Sequence, residues 1–419
     1  MILYKIIFLT IFLLSRIWEI ILYYINLKYS LKKDKIPEIF KDLVTEDEFK
    51  KSKNYLKDKT KFIITEIISQ TIIVFFGLIY LFPFFEKNAI DIVSNSNKFI
   101  INSNFTQIFI FFLFLGVLYF LTDLPFDIYN SFYLEKRYGF SKINLKIYIL
   151  DKIKIVIISI ILGFLLLLGF YKIIFTFKYW WLILSIFIIV ITFLINILYP
   201  TLILPLFYKF EKLKNESLRK KIEDITKKVN LKFENIYVIN ASTRSLHTNA
   251  FFTGIGKTKK IVFYDTLINN HTEDEIVSIF AHELGHYKKG HIVKSFLLSA
   301  FMVFFVIFIL NFIKDSQLIK SFYNCESCIC LPYIYSLIFI SSILNPIEFI
   351  INSISRKFEF ESDRYAVLLT NKESMIESLK KLIKTNLSNL NPNPIYSKFK
   401  YTHPPPVERI EAILQINKP

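Results

Sequence analysis

Seven apolar runs, each about as long as a bilayer is thick, divide this chain and restrict its fold more than any other feature. A spanning helix needs about 20 mostly apolar residues. The runs are Met1–Leu27, Phe62–Phe85, Phe105–Leu121, Ile155–Tyr171, Tyr179–Tyr208, Ile292–Ile313 and Ile329–Phe349. A cleaved leader would follow its short apolar stretch with small residues. The first run instead continues through the bulky "SRIWEIILYYINL", so it reads as a retained span. A chain of 419 residues that is 53% hydrophobic and 17% aromatic is also too apolar for a soluble protein of this size. A net charge of +17 would suit nucleic acid, but the lysines fall between the runs, and no basic stripe interleaved with aromatics stands apart. We therefore expect a lipid bilayer, and no nucleic acid, as the chain's surroundings.

Lysine placement orients the spans, because short cytosolic loops are rich in Lys and Arg. Lys28–Lys61 and Thr122–Lys152 read as cytosolic, and the sparsely basic Glu86–Asn104 as lumenal. Alternation then puts the N-terminus in a lumen, and the polar segment and C-terminal tail in the cytosol. The three cysteines, Cys325, Cys328 and Cys330, fall together in a lumenal loop, where they read as one disulfide with a free thiol or as three free thiols. Arg16, Glu19, Glu66, Asn196, Asn345 and Glu348 lie within or beside apolar runs and should face a wet interior or one another.

This punctuation divides the chain at residues 1–207 (spans one to five), 208–291 (a polar insert), 292–349 (spans six and seven) and 350–419 (a polar tail). In the insert, Leu218, Ile222, Ile225 and Val229 share one helical face. "NIYVINA" and "KKIVFYDTL" are β-rich. Thr272 and Glu275 make a T-x-x-E capping box, so a helix should begin there.

That helix carries "HELGHYKKGH". His282 and His286, at i and i+4, lie one turn apart and can chelate one zinc ion, and Glu283 can take a proton from a metal-activated water. The third ligand must come from elsewhere. In the longer zinc motif a histidine follows x-x-G-x-x, whereas here Gly290 and His291 are each one place out of register. On a continuing helix His291 would point away from the pair, so it reads as a supporting or surface residue. "RKFEFESDRYA" offers Glu359, Glu361 and Asp363. If helical, Glu359 and Asp363 are i, i+4 neighbours, one able to bind metal while the other orients an imidazole. Spacing alone leaves Glu359 and Glu361 open as ligands.

Several motifs occur in order: "LEKRYGFS", "LILPLFYKFEKL", "STRSLHTNAFFTG", "IVFYDTLI", "HELGHYKKGH", "SRKFEFESDRYA" and "YTHPPPVER". With them the chain resembles the CAAX prenyl protease 1 family, integral membrane zinc endopeptidases related to HtpX-type proteases. The resemblance implies a mainly α, seven-span protein enclosing a chamber, with a gluzincin-like peptidase domain on the cytosolic side. It implies one zinc ion on His282, His286 and Glu359, with Asp363 behind the ligands and Glu283 as general base. It further implies Asn249 and Ala250 on an edge strand that holds the substrate backbone, and His403 and Arg409 stabilising the oxyanion. The implied substrates are prenylated C-termini, and the implied location is the endoplasmic reticulum membrane, which the sequence does not separate from the contiguous inner nuclear membrane. The chain departs from the family in having Glu361 and Ser362 where Gln and Ala are common. The alternatives are a quality-control protease for misfolded or translocon-stalled membrane proteins, and a non-catalytic scaffold.

Overall fold

The computed structural model describes residues 1–95, 103–231, 235–253, 260–323 and 325–417. Two ends of the sequence motifs, Gly254 and Lys259, lie outside the described residues. Five helices long and apolar enough to cross a membrane come first: α1 (Ile2–Leu31), α2 (Glu46–Asn95), α3 (Ser103–Tyr138), α4 (Leu145–Thr176) and α5 (Trp180–Leu206). Each covers one of the apolar runs to within two residues at either end, and α2, α3 and α4 extend well beyond theirs. In α2 the reason is local. The Thr45 hydroxyl accepts from the Glu48 N–H, the Glu48 carboxylate accepts from the Thr45 N–H, and three acids occupy the first turn. The helix is thus nucleated about four turns before its apolar part begins. Along α4, Ile157, Ile160, Ile161 and Leu165 are all exposed, a surface that only hydrocarbon would cover without cost.

At one end of the bundle Phe8, Phe12, Phe111 and Tyr335 are buried together. Beside them Glu86 is fully buried. It accepts from Gln107 Nε2 at 2.7 Å and from the N–H groups of Ile329 at 2.8 Å and Cys330 at 3.2 Å, which ties down the cysteine loop. Cys325 and Cys328 form a disulfide and Cys330 is a buried free thiol, one of the two arrangements expected.

The polar insert contains β1 (Phe210–Lys212), α6 (Glu216–Lys228), β2 (Asn235–Ile239), β3 (Ala250–Thr253), β4 (Lys260–Tyr264), α7 (Asp265–Asn270) and α8 (Glu273–Lys288). The strands form one sheet in the order β1-β2-β4-β3. The central pair is parallel and both outer pairs are antiparallel, so β3 is an edge. Leu218, Ile222 and Ile225 of α6 are buried with Ile261 and Phe263 of β4 and Phe280 and Leu284 of α8, and Val229 packs against this core only partly buried. The capping box of α8 is present as read, with both the Thr272 and the Glu275 hydrogen bonds.

Two further spans follow. Helix α9 (His291–Ile313) starts directly after Gly290, whose φ of +68° is a left-handed conformation that side chains resist. Helix α10 (Leu331–Leu369) is one rod that joins the seventh apolar run to the acidic motif, with a tight turn at Asn345–Ile347. Helices α11 (Lys372–Thr385), α12 (Pro394–Lys400) and α13 (Pro406–Leu414) complete the described chain. The charges within the apolar runs largely meet partners. Glu19 lies 3.4 Å from Arg16, Lys400 reaches Glu19 at 3.1 Å and Glu348 at 3.0 Å, and Asn345 donates to Ser15.

Helices α8 and α10 cross at Gly285. A Cβ there would lie 3.0 Å from Ser362 Cα and 3.2 Å from Ser362 O, tighter than ordinary van der Waals contact, so a larger residue would push the two backbones apart by a few tenths of an ångström. Gly285→Ala is expected to destabilise the protein by about 1–3 kcal/mol through overpacking against backbone. Thermal unfolding in detergent checks this, and an unchanged midpoint would mean that the helices separate freely.

Candidate metal centre

The crossing brings four motif side chains together. His282 and His286 project from α8 toward Glu359 and Asp363 on α10. His282 Nε2 and His286 Nε2 are 3.1 Å apart. Glu359 Oε1 is 3.2 Å from His286 Nε2, and Glu359 Oε2 is 3.4 Å from His282 Nε2. One ligand atom from each of His282, His286 and Glu359 lies within 4.8 Å of the other two, close enough for the three side chains to share one ion, and zinc bonds of about 2.0–2.1 Å would draw these atoms to about 3.3–3.4 Å apart. Glu359 Oε2 is buried with no hydrogen-bond partner among the described residues, as suits an oxygen reserved for a metal. The donor set therefore fits a divalent ion. Between the two glutamates that spacing left open, geometry selects Glu359, because Glu361 turns away toward His291.

A carboxylate and a guanidinium support the ligands from behind. Asp363 Oδ1 is 2.8 Å from His282 Nδ1, although off line for a well-formed hydrogen bond. Both Asp363 oxygens also accept from Arg409, at 2.8 Å from Nε and 2.6 Å from Nη2. The fork of Arg409 is thereby committed to Asp363, and only Nη1 reaches toward Glu359, at 3.6 Å. His403 approaches from the far side, its Nε2 3.3 Å from Glu359 Oε1, with 64% of its side chain exposed to the cleft.

The cleft, of about 590 Å³, is lined by Glu283, His403, Arg409 and the strand residues Thr248, Asn249 and Ala250. Burial raises the Glu283 carboxyl pKa, which suits a group that must accept a proton near neutral pH. The Tyr264 N–H donates to Asn249 O at 3.1 Å, so Asn249 faces β4. Strand alternation then turns the peptide groups of Ala250 toward the open edge. The Asn249 side chain covers the Ala250 N–H at 2.8 Å.

Two features have no counterpart in the sequence analysis, and a third settles a choice left open there. Of the two roles open to His291, supporting or surface, the structure takes the supporting one: His291 is buried and its Nδ1 lies 3.2 Å from His286 Nδ1, although a continuing helix would point it away from the pair. The expectation assumed a continuous helix, whereas the left-handed Gly290 turns the chain back. Arg356, one turn before Glu359, donates to the carbonyls of Ser397, Lys398 and Tyr401 and so fixes the segment leading to His403. Finally, α1 tracks the same segment. Trp18 packs on Phe399, Tyr23 on Tyr396, Asn26 accepts from the Asn393 N–H, and Ser30 donates to Asn391 O. The polar stripe Ser15, Glu19, Asn26, Ser30 in an otherwise apolar helix was the available signal.

A histidine–histidine–glutamate cluster on helices joined to membrane spans, with Glu283 and an open strand edge lining the same cleft, defines the class: a membrane-embedded metallopeptidase. Residues 212–417 match the model of Peptidase family M48, and residues 26–209 match the model described as CAAX prenyl protease N-terminal, five membrane helices. The chain is 33% identical to the probable CAAX prenyl protease 1 of Schizosaccharomyces pombe over 417 residues, covering 94% of this chain and 85% of the relative. It is 32% identical to the CAAX prenyl protease 1 of Saccharomyces cerevisiae over 409 residues, covering 92% and 89%. The crystal structure of S. mikatae Ste24p matches with a TM-score of 0.88 at 31% identity over 98% of both chains. The chain belongs to the CAAX prenyl protease 1 family of M48 metallopeptidases.

In the metal-free protein, burial works against a charged His282, but the Asp363 and Glu359 carboxylates outweigh it and hold its pKa at about 9. This folded value lies above the ordinary 6.5, so the stabilisation is complete below the ordinary value and is lost as pH rises through about 9. An entering ion displaces that proton. Apparent affinity for a divalent ion is therefore expected to rise about tenfold per pH unit from about pH 7 to about pH 9. Competition with a chelator at several pH values reads this, and a flat profile would contradict it.

Proposed function

We propose that this protein is a zinc endopeptidase that removes the C-terminal tripeptide from prenylated C-a-a-X proteins. The observation that carries the reading is the meeting, in one cleft, of the His282–His286–Glu359 cluster with the open edge of β3. Two imidazoles and one carboxylate suit zinc and leave a fourth position free for chemistry.

An extended substrate pairs its backbone with the outward-facing peptide groups around Ala250, and Asn249 turns aside to release the N–H it covers. Such pairing grips any extended peptide without demanding particular side chains. When bound, zinc supplies Lewis acidity, which polarises the scissile carbonyl and makes a water acidic enough to attack near neutral pH. Glu283 takes the proton of the attacking water and later delivers it to the leaving amine. His403 donates toward the oxyanion from the side opposite α8. Arg409 acts chiefly through Asp363, which it holds against His282, and adds positive charge through Nη1.

Membrane attachment fits the substrate. A prenyl chain gains about 0.8 kcal/mol per methylene buried in lipid. A catalyst joined to the spans meets that chain where it already lies, without extracting it. The lysine distribution and the family likeness support a catalytic domain on the cytosolic face of the endoplasmic reticulum membrane, with the spans enclosing a chamber beneath the site.

The test is mass spectrometry of a farnesylated C-a-a-X peptide incubated with purified protein in detergent. Wild type is expected to release the intact tripeptide, Glu283→Ala to be slower by about 10²–10⁴-fold, and His403→Ala by about 10²–10³-fold. Equal cleavage by Glu283→Ala would remove the proposed mechanism. Zinc-loaded protein that spares the peptide yet degrades unfolded membrane proteins would replace this substrate with the quality-control reading.

A further inference from the structure

The two histidines of the metal cluster are supported differently. His282 Nδ1 faces Asp363, whereas His286 Nδ1 faces a second histidine. If His286 offers Nε2 to the cluster, its proton resides on Nδ1 and must find an acceptor. His291 Nδ1, at 3.2 Å, is that acceptor. The proton of a neutral His291 then resides on Nε2, and that nitrogen lies 3.1 Å from Glu361 Oε2. The protons therefore have one consistent direction, from His286 to His291 to Glu361.

The remaining contacts of His291 fix its ring. Phe358 stacks on it with centroids 4.2 Å apart and planes 9° from parallel, and Ser362 Oγ lies 3.4 Å from Nδ1. The imidazole is only 2% exposed, so the acceptor position is closed to bulk water. It reaches this position because Gly290 turns left-handed between α8 and α9. Lys294 and Lys357 attract the outer carboxylate of Glu361, which stays half-exposed at the rim.

We propose that His291 and Glu361 are positioning residues that orient His286 for the metal, the counterpart of Asp363 behind His282. This rests on the metal-site reading above. Removing such outer partners costs about 10–100-fold in metal affinity, because a free imidazole can rotate away from the ion or take the wrong tautomer. An amide oxygen accepts the same Nε2–H, so glutamine at position 361 should preserve the chain and alanine should break it.

The experiment is zinc competition with a chromogenic chelator on the full-length protein in detergent, with visible absorption of the cobalt-loaded form as the second readout. Wild type should bind one equivalent. His291→Phe, which keeps the packing on Phe358 but cannot accept a hydrogen bond, should weaken zinc by about 10–100-fold and shift the cobalt bands. Glu361→Ala at the rim should weaken zinc severalfold, and Glu361→Gln should restore both readouts. Wild-type affinity and an unshifted cobalt spectrum in His291→Phe and Glu361→Ala would overturn the proposal. Failure of wild type itself to take up zinc would instead remove the metal reading, so the two failures are distinguishable. If His291→Phe does not fold, Glu361→Ala against Glu361→Gln decides alone.

Discussion

The close crossing of α8 and α10 at Gly285 is the contact on which the rest of the molecule depends. Two ligand imidazoles on one helix and a ligand carboxylate on the other meet only if the axes come within glycine-on-backbone distance. Because α10 is continuous with the seventh apolar run, the position of Glu359 is set by the packing of a membrane span. Because α9 starts within three residues of the end of α8, the histidine helix is tethered to a span as well. The site is thus held by two rods that lipid and protein fix along much of their length.

Electrostatics explains why such a site wants a cation. Glu283, Glu359 and Asp363 bring three carboxylates into a small, mostly buried volume, against a single guanidinium from Arg409. Buried charges in excess are costly unless paired. A divalent ion brings the count to balance, and in its absence His282 compensates by holding a proton. Arg409 also makes the C-terminal segment part of the centre, since α13 is joined to α10 through Asp363. The same segment is steered from outside by Arg356 and by α1, which places His403 opposite α8.

Much of this was legible from residues. The spans were, because hydrocarbon thickness sets a minimum run length. The start of α8 was, because Thr272 and Glu275 form a local box. The histidine pair was, because i and i+4 always share a face. What escaped depended on long-range packing or on one backbone torsion. Spacing does not separate Glu359 from Glu361, since only the crossing decides which carboxylate faces α8; the family resemblance alone implies Glu359. Spacing leaves His291 open between a supporting and a surface role, because a single left-handed residue, Gly290, sets the direction that decides it. β1, three residues long, is defined by its pairing with β2 and has no pattern of its own.

The central claim is that one metal ion sits at the helix crossing on His282, His286 and Glu359. Diffraction from crystals of the zinc-loaded protein, measured on both sides of the zinc absorption edge, tests it most directly. The account predicts one anomalous peak about 2.0–2.2 Å from the two Nε2 atoms and a Glu359 oxygen. A peak elsewhere, or none at full zinc loading, would contradict it.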